Sequence, residues 1–147
     1  MTRAELLAFL QKHRLAVVST IGAASPQAAV VGIAVTDALE IIFDTLTTSR
    51  KYTNLRADPR VALVIGWDAE QTVQYEGIAD LPAGAELDAC KQIYFATWPD
   101  GRAREQWPDI AYIRIRPHWV RYSDFAMTPP RIEEMKVKLG DANEQDV

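Results

Sequence analysis

The chain has one cysteine, Cys90, and two histidines, His13 and His118. A lone thiol excludes an intramolecular disulfide and leaves too few thiolates for a zinc site, and the two imidazoles do not stand at ligand spacing. Basic residues are also short: 16 Lys and Arg against 20 Asp and Glu give a net charge of −4, so no global positive field argues for a nucleic-acid partner. No apolar run approaches the roughly 20 residues that span a bilayer. No secretory signal is visible, because the opening "MTRAELLAFLQKHR" is amphipathic and charged. A glycine-rich loop of the kind that cradles a nucleoside triphosphate is missing too. What these absences leave is a cytoplasmic protein of one domain, and 147 residues suffice for a core without disulfide or metal.

What is present is β-rich. Thr2–Lys12 reads as a helix, with Thr2 and Glu5 at capping-box spacing and Leu6, Phe9 and Leu10 as its apolar stripe. The period then changes. "LAVVSTI" (15–21), "QAAVVGIAV" (27–35) and "LEIIFDT" (39–45) read as a meander of strands. "RVALVIGW" (60–67) and "TVQYEGIADL" (72–81) make a hairpin across "DAEQ". Residues 85–97 read as a helix, 98–109 as a loop with two tryptophans, and "IAYIRIRP" (110–117) and "HWVRYSDF" (118–125) as two further strands. That gives six or seven strands, two clear helices and one short one. Antiparallel hairpins favour a closed barrel over a parallel sheet. The domain is expected over 1–127, with 128–147 as a tail whose end, "GDANEQDV", is acidic and mobile.

The segment with the most chemistry is "DTLTTSRKYTNL" (44–55). Ser49 suits an N-cap, and Arg50–Ala57 has room for two helical turns before Pro59. A helix N-terminus exposes unpaired N–H groups with partial positive charge. Arg50 and Lys51 add formal charge there, and the hydroxyls of Thr45, Thr48 and Ser49 add donors. The set suits a phosphate. Taken alone, Ser-Arg-Lys also suits a solvated loop with ordinary capping.

The order of elements resembles the pyridoxamine-phosphate-oxidase-like family of flavin-binding split barrels. "TSRKYTNLRADPRVAL" carries most of the likeness, with "TVQYEGIADL" and the closing "RIRPHWVRYSDF". The resemblance implies a mainly β protein, a six-stranded antiparallel split barrel with flanking helices, which dimerises and holds one FMN per subunit at the interface. By position, Arg50 and Lys51 would bind the FMN phosphate with Ser49 assisting, and Asp44 and Thr45 would line the same cleft. Ala29, Val30 and Val31 would offer backbone groups beside the isoalloxazine ring. Thr72 stands where the family often has a flavin-contacting glutamine, and Gln74 lies on the same strand face. Arg121 and Ser123, on the last strand, would close the site from the other subunit.

The activity implied is FMN-dependent hydride transfer at flavin N5 on a small substrate, with no side-chain nucleophile. The Arg-x-His pair that grips the vitamin B6 substrate in true oxidases is missing, since Arg131 in "TPPRIEE" has no histidine two residues on. The resemblance therefore supports the fold and the flavin better than it supports B6 oxidation. Two rivals are a deazaflavin-dependent reductase, which would need more basic residues along the cleft, and a non-enzymatic flavin- or haem-binding stress protein. His118 would be the axial haem ligand, or else an ordinary surface residue. Cys90, Trp98 and Trp107 read as core or interface, and Arg102 and Arg104 as a solvated pair or a second phosphate site.

Overall fold

The computed structural model describes residues 1–138, so the acidic end "GDANEQDV" lies outside the described residues. The described chain runs α1 (Arg3–Lys12), β1 (Leu15–Ile21), β2 (Pro26–Gly32), β3 (Ala34–Val35), β4 (Ile41–Leu46), α2 (Arg50–Ala57), β5 (Arg60–Ile65), β6 (Gln71–Asp80), α3 (Gly84–Thr97), α4 (Gly101–Arg104), β7 (Ile110–Asp124) and β8 (Arg131–Lys136). The strands form one sheet in the order β2-β1-β5-β6-β7-β4-β3, with β8 added beside β7. Every pairing is antiparallel. The result is the expected mainly β architecture, an antiparallel curled half-barrel with flanking helices.

Two apolar clusters divide the work. The first fills the concave side, with Val18, Leu63, Val73, Tyr75, Ile113 and Val120 pointing inward along alternate positions, capped by Leu6 and Leu10 of α1. The second lies on the opposite face of β3, β4 and the start of β7, under Cys90, Tyr94 and Phe95 of α3. The Tyr75 hydroxyl ties the first cluster to the backbone by facing the carbonyls of Leu39 (2.8 Å) and Ile115 (3.1 Å).

Three departures from the sequence reading have local causes. The run 27–35 is broken at Ile33, whose N–H donates to the Arg14 carbonyl (2.9 Å); β2 stays with β1 while β3 crosses to β4. Residues 110–124 form one strand, not two. Pro117 marks a bulge, where Glu76 pairs with Trp119 and Gly77 with Pro117, leaving His118 as the extra residue. The segment placed in the tail enters the sheet as β8, with Ile132 opposite Ser123 and Glu134 opposite Arg121.

Candidate functional site

Helix α2 begins as the sequence suggests. Ser49 is extended (φ −77°, ψ 152°), and its Oγ accepts from the Tyr52 N–H at 3.3 Å. Thr45 Oγ1 lies 3.0 Å from Ser49 Oγ, joining the end of β4 to the cap. No acidic residue stands in the first turn. Arg50 and Lys51 line a small pocket of about 90 Å³ with Val18 and Thr20 of β1 and Gln27, Ala28 and Ala29 of β2. Neither cation has a carboxylate partner among the described residues. One turn further on, Asn54 Nδ2 donates to Thr20 Oγ1 (3.0 Å) and Gln27 Oε1 (2.8 Å), which locks the helix against the β1–β2 hairpin. Thr20, Gln27 and Asn54 were not singled out from the sequence. The available signal was Asn54 four residues after Arg50, on the same helix face.

Strand β2 is an edge of the sheet, bonded to β1 on one side only. Its other edge presents backbone N–H and C=O groups beside the pocket. Ala29 stands opposite Val18 and Val31 opposite the buried Ala16, whereas Val30 is outward and 61% exposed. The charge-bearing first turn and the free strand edge thus meet at one place, with Thr20 the hydroxyl residue in the pocket lining, while Thr45 and Ser49 bond to each other beside it. That combination has the chemistry to take an anion, with hydrogen-bonding backbone next to it for a planar group.

Thr72, Gln74, Arg121 and Ser123 form a second group. Thr72 pairs with Ser123 and Gln74 with Arg121, while Val73 and Tyr75 between them point into the core. Thr72 and Gln74 do share a face, as the alternation predicts. None of these four residues lines the pocket of Arg50 and Lys51. Within the described chain the two groups are therefore separate. Arg121 is also engaged, its Nε donating to Glu134 Oε1 at 3.0 Å. Reading β8 as tail concealed that partner.

Asp44 does not share the cleft with Thr45. The two are neighbours on a strand and so face opposite sides. The Asp44 carboxylate turns to the α3 side, accepting from Tyr94 Oη (3.0 Å) and Arg104 Nε (2.9 Å). Arg104 also donates to Asp100 (3.2 Å). With two carboxylates already on it, Arg104 is not available as a second phosphate site. Arg102 lies over the Phe95 ring, 5.0 Å from its centroid. Trp98 packs into the structure, its Nε1 donating to the Ile33 carbonyl (2.9 Å) with Arg14 stacked 4.2 Å above the ring, whereas Trp107 is 49% exposed. His118 is exposed on its bulge. Cys90 is buried under α3, and burial pushes its thiol up.

The Asp44 cluster has a pH consequence. Tyr94 is buried, and its phenol is pushed up to about 12, by burial first and by the Asp44 carboxylate second. In the unfolded chain a tyrosine titrates near about 10. The native state keeps the proton where the unfolded chain loses it. The stability this group contributes is thus intact below about pH 10 and falls as pH rises towards about 12, by roughly 2–3 kcal/mol in all. Denaturant midpoints measured from about pH 9 to about pH 11.5 should decline more steeply in the native protein than in Tyr94→Phe. Equal slopes would remove Tyr94 from the alkaline transition.

The comparisons with known proteins agree with this fold. The family model described as pyridoxamine 5'-phosphate oxidase matches residues 2–124. The pyridoxine/pyridoxamine 5'-phosphate oxidase of Bordetella avium (strain 197N) is 35% identical over 116 residues, which are 72% of this chain and 52% of that protein. The chain thus spans about half the length of that curated relative. Among solved structures, a heme binding protein from Mycobacterium smegmatis superposes with a TM-score of 0.80 at 19% identity, over 97% of this chain and 60% of the other. The general stress protein 26 of Bacillus anthracis str. Sterne gives 0.70 at 20% identity, over 90% and 98%. At such identities these two structures speak for the fold alone. Motif order, strand topology and a family match over residues 2–124 all agree, and the chain belongs to the pyridoxamine 5'-phosphate oxidase-like family of split barrels.

Proposed function

We propose that this protein is an FMN-binding oxidoreductase acting on a small substrate, and that it works as a homodimer. The observation that carries the reading is the pair Arg50 and Lys51, free of carboxylate partners among the described residues, at the first turn of α2 beside the open edge of β2. The pocket accepts a phosphate-sized group and is too small for a flavin ring, so the ring belongs outside it, along Ala29–Val31. In this reading Arg50 grips phosphate oxygens with two donors, Lys51 neutralises charge, and the N–H groups of the α2 first turn supply the remaining contacts. Ala29 and Val31 orient the ring through backbone groups, and Val30 faces outward.

Bound FMN supplies hydride transfer at N5; the protein's part is binding, orientation and exclusion of water. Half of that enclosure is missing from a single subunit. The outward face of β6 and β7, with Thr72, Gln74 and Arg121, would come from a second copy, with Ser123 buried beside them. The exposed apolar residues Val30 and Val64 on the same outer face suit such a contact. Light scattering at micromolar concentration should give about twice 16.5 kDa. A mass of one chain would remove the shared-site reading.

Haem is the second reading, raised by a heme binding protein that shares this fold. The candidate ligand His118 stands on the outer bulge with Glu76 and Arg60 beside it, in a pocket that shares only Thr20 with the one that holds Arg50 and Lys51. A deazaflavin with a longer anionic tail would call for further cations, and among the described residues Arg50 and Lys51 are the only ones lining that pocket. Absorbance after adding FMN or haem to the apo-protein separates the readings. Flavin bands that shift on binding support FMN, and a Soret band with unshifted flavin spectra would replace it with haem.

A further inference from the structure

The other end of α2 carries a cavity that the flavin reading does not use. It is larger than the phosphate pocket, about 300 Å³, at the lower end of the range for small-molecule sites. Its walls are Leu55 of α2, Ala79 of β6 and Ile113 of β7, three residues of the barrel core. They are 6%, 9% and 2% exposed, so the cavity opens onto the core itself. Tyr52 and Leu81 form the rim, and Leu81 is 44% exposed. Arg50 and Arg56 are six residues apart on one helix, which sets the two pockets roughly 9 Å apart along its axis.

The charges at the rim are unequal in what they leave free. Asp80 is held by Arg114, at 2.9 Å and 2.7 Å, and Arg116 lies 3.7 Å away. Its carboxylate is therefore paired, with Arg114 shared with Glu86 and Arg116 shared with Glu40. Arg56 has no carboxylate partner among the described residues. Its guanidinium donates to Tyr52 Oη at 3.3 Å and lies over that ring, 5.8 Å from the centroid. A cation in the last helical turn also complements the helix dipole, but that role does not need an apolar cavity beneath it.

We propose that this cavity binds a small amphiphilic carboxylate, its apolar body against Leu55, Ala79 and Ile113 and its carboxylate on Arg56. The site is separate from the flavin pocket and does not depend on the cofactor's identity. Arg56 and Tyr52 supply a charge-assisted contact, and the three wall residues supply the apolar transfer.

The test uses the full chain, labelled at leucine, alanine and isoleucine methyls for NMR. Hexanoate is the probe, with hexan-1-ol and hexylamine as matched neutral and cationic controls. Hexanoate should shift the methyls of Leu55, Ala79 and Ile113 in a saturable way at millimolar concentration, and should bind about tenfold more tightly than either control. Arg56→Gln should reduce that preference to about twofold or less, and Arg56→Lys should retain most of it. Arg56 is exposed, so the glutamine variant is expected to fold and to bind FMN as the native protein does. No saturable shift at the three wall residues, equal binding of the three probes, or an Arg56→Gln variant that keeps the preference would each overturn the proposal. None of those results touches the Arg50 and Lys51 site.

Discussion

Replacing Arg50 and Lys51 together by alanine is expected to erase the protein's preference for FMN over riboflavin. The two ligands share a ring and differ at the phosphate. Two or three charge-assisted contacts contribute roughly 3–6 kcal/mol, or some two to four decades of affinity. Both cations stand at the mouth of the pocket and neither has a carboxylate partner among the described residues. Their removal therefore leaves no buried charge unpaired, and the fold should persist. The α2 cap also survives, since it is made by Ser49 and Tyr52. Riboflavin affinity should change little in the variant, because ring contacts run through the β2 backbone. Salt should weaken FMN binding more than riboflavin binding in the native protein, and both equally in the variant. Titration of the apo-proteins with each flavin decides it. Native protein that binds the two equally, or a variant that keeps its FMN preference, would remove the phosphate from this site.

How far the site was legible in the sequence depends on the range of the interaction. The α1 capping box and the Ser49 cap are local and were visible. Thr2 and Glu5 meet as expected, with Glu5 N–H donating to Thr2 Oγ1 at 3.1 Å. Strand alternation was visible too, and it placed Thr72 with Gln74 correctly. Applied to β4, the same rule separates Asp44 from Thr45, a consequence that grouping them by position overlooked. What Asp44 does instead was not readable, because Arg104 lies 60 residues away. Strand β8 was hidden for another reason. Its residues are half-buried or exposed throughout, since it covers one edge of β7 rather than a core face. "RIEEMK" thus lacks the apolar alternation that marks a half-buried strand. The break at Ile33 had the opposite problem. Val31, Ile33 and Val35 are all buried, so an unbroken apolar run conceals a change of partner strand.

That edge arrangement also bears on the proposed dimer. The curl brings α2 against β1 and β2 and places Arg50 and Lys51 there. The polar pairs on β6 and β7 face outward, where no element of the same described chain returns to meet them except β8. Glu134 on β8 takes Arg121, so any role for Arg121 at a partner's flavin begins from an existing ion pair. Exposed pairs of this kind contribute little to stability, about 0–1 kcal/mol, and are correspondingly easy to exchange.

The largest effect on stability from one methyl group is expected at Gly77. It sits at the bulge, where β6 shifts register against β7 between Glu76 and Gly77. A Cβ there would stand 2.4 Å from the Arg116 carbonyl oxygen and 2.8 Å from Ile115 Cγ2. The first obstacle is backbone, so it cannot rotate away as a flexible side chain would. Ile115 is fully buried in the barrel core, which removes the second escape. The strands must separate locally, and Gly77→Ala should lose about 3 kcal/mol, or about 10 °C in Tm for a chain of this size. Gly84→Ala is the control. Gly84 has φ +59° with nothing within 4 Å of its would-be Cβ, so only backbone strain opposes the change, about 1 kcal/mol. Chemical denaturation of the two variants should rank them in that order. If Gly84→Ala costs as much as Gly77→Ala, backbone dihedral strain and not close strand approach sets the requirement for glycine. If Gly77→Ala is neutral, the β6–β7 bulge is loose enough to open, and the placement of His118 and Trp119 beyond it loses its rigid support.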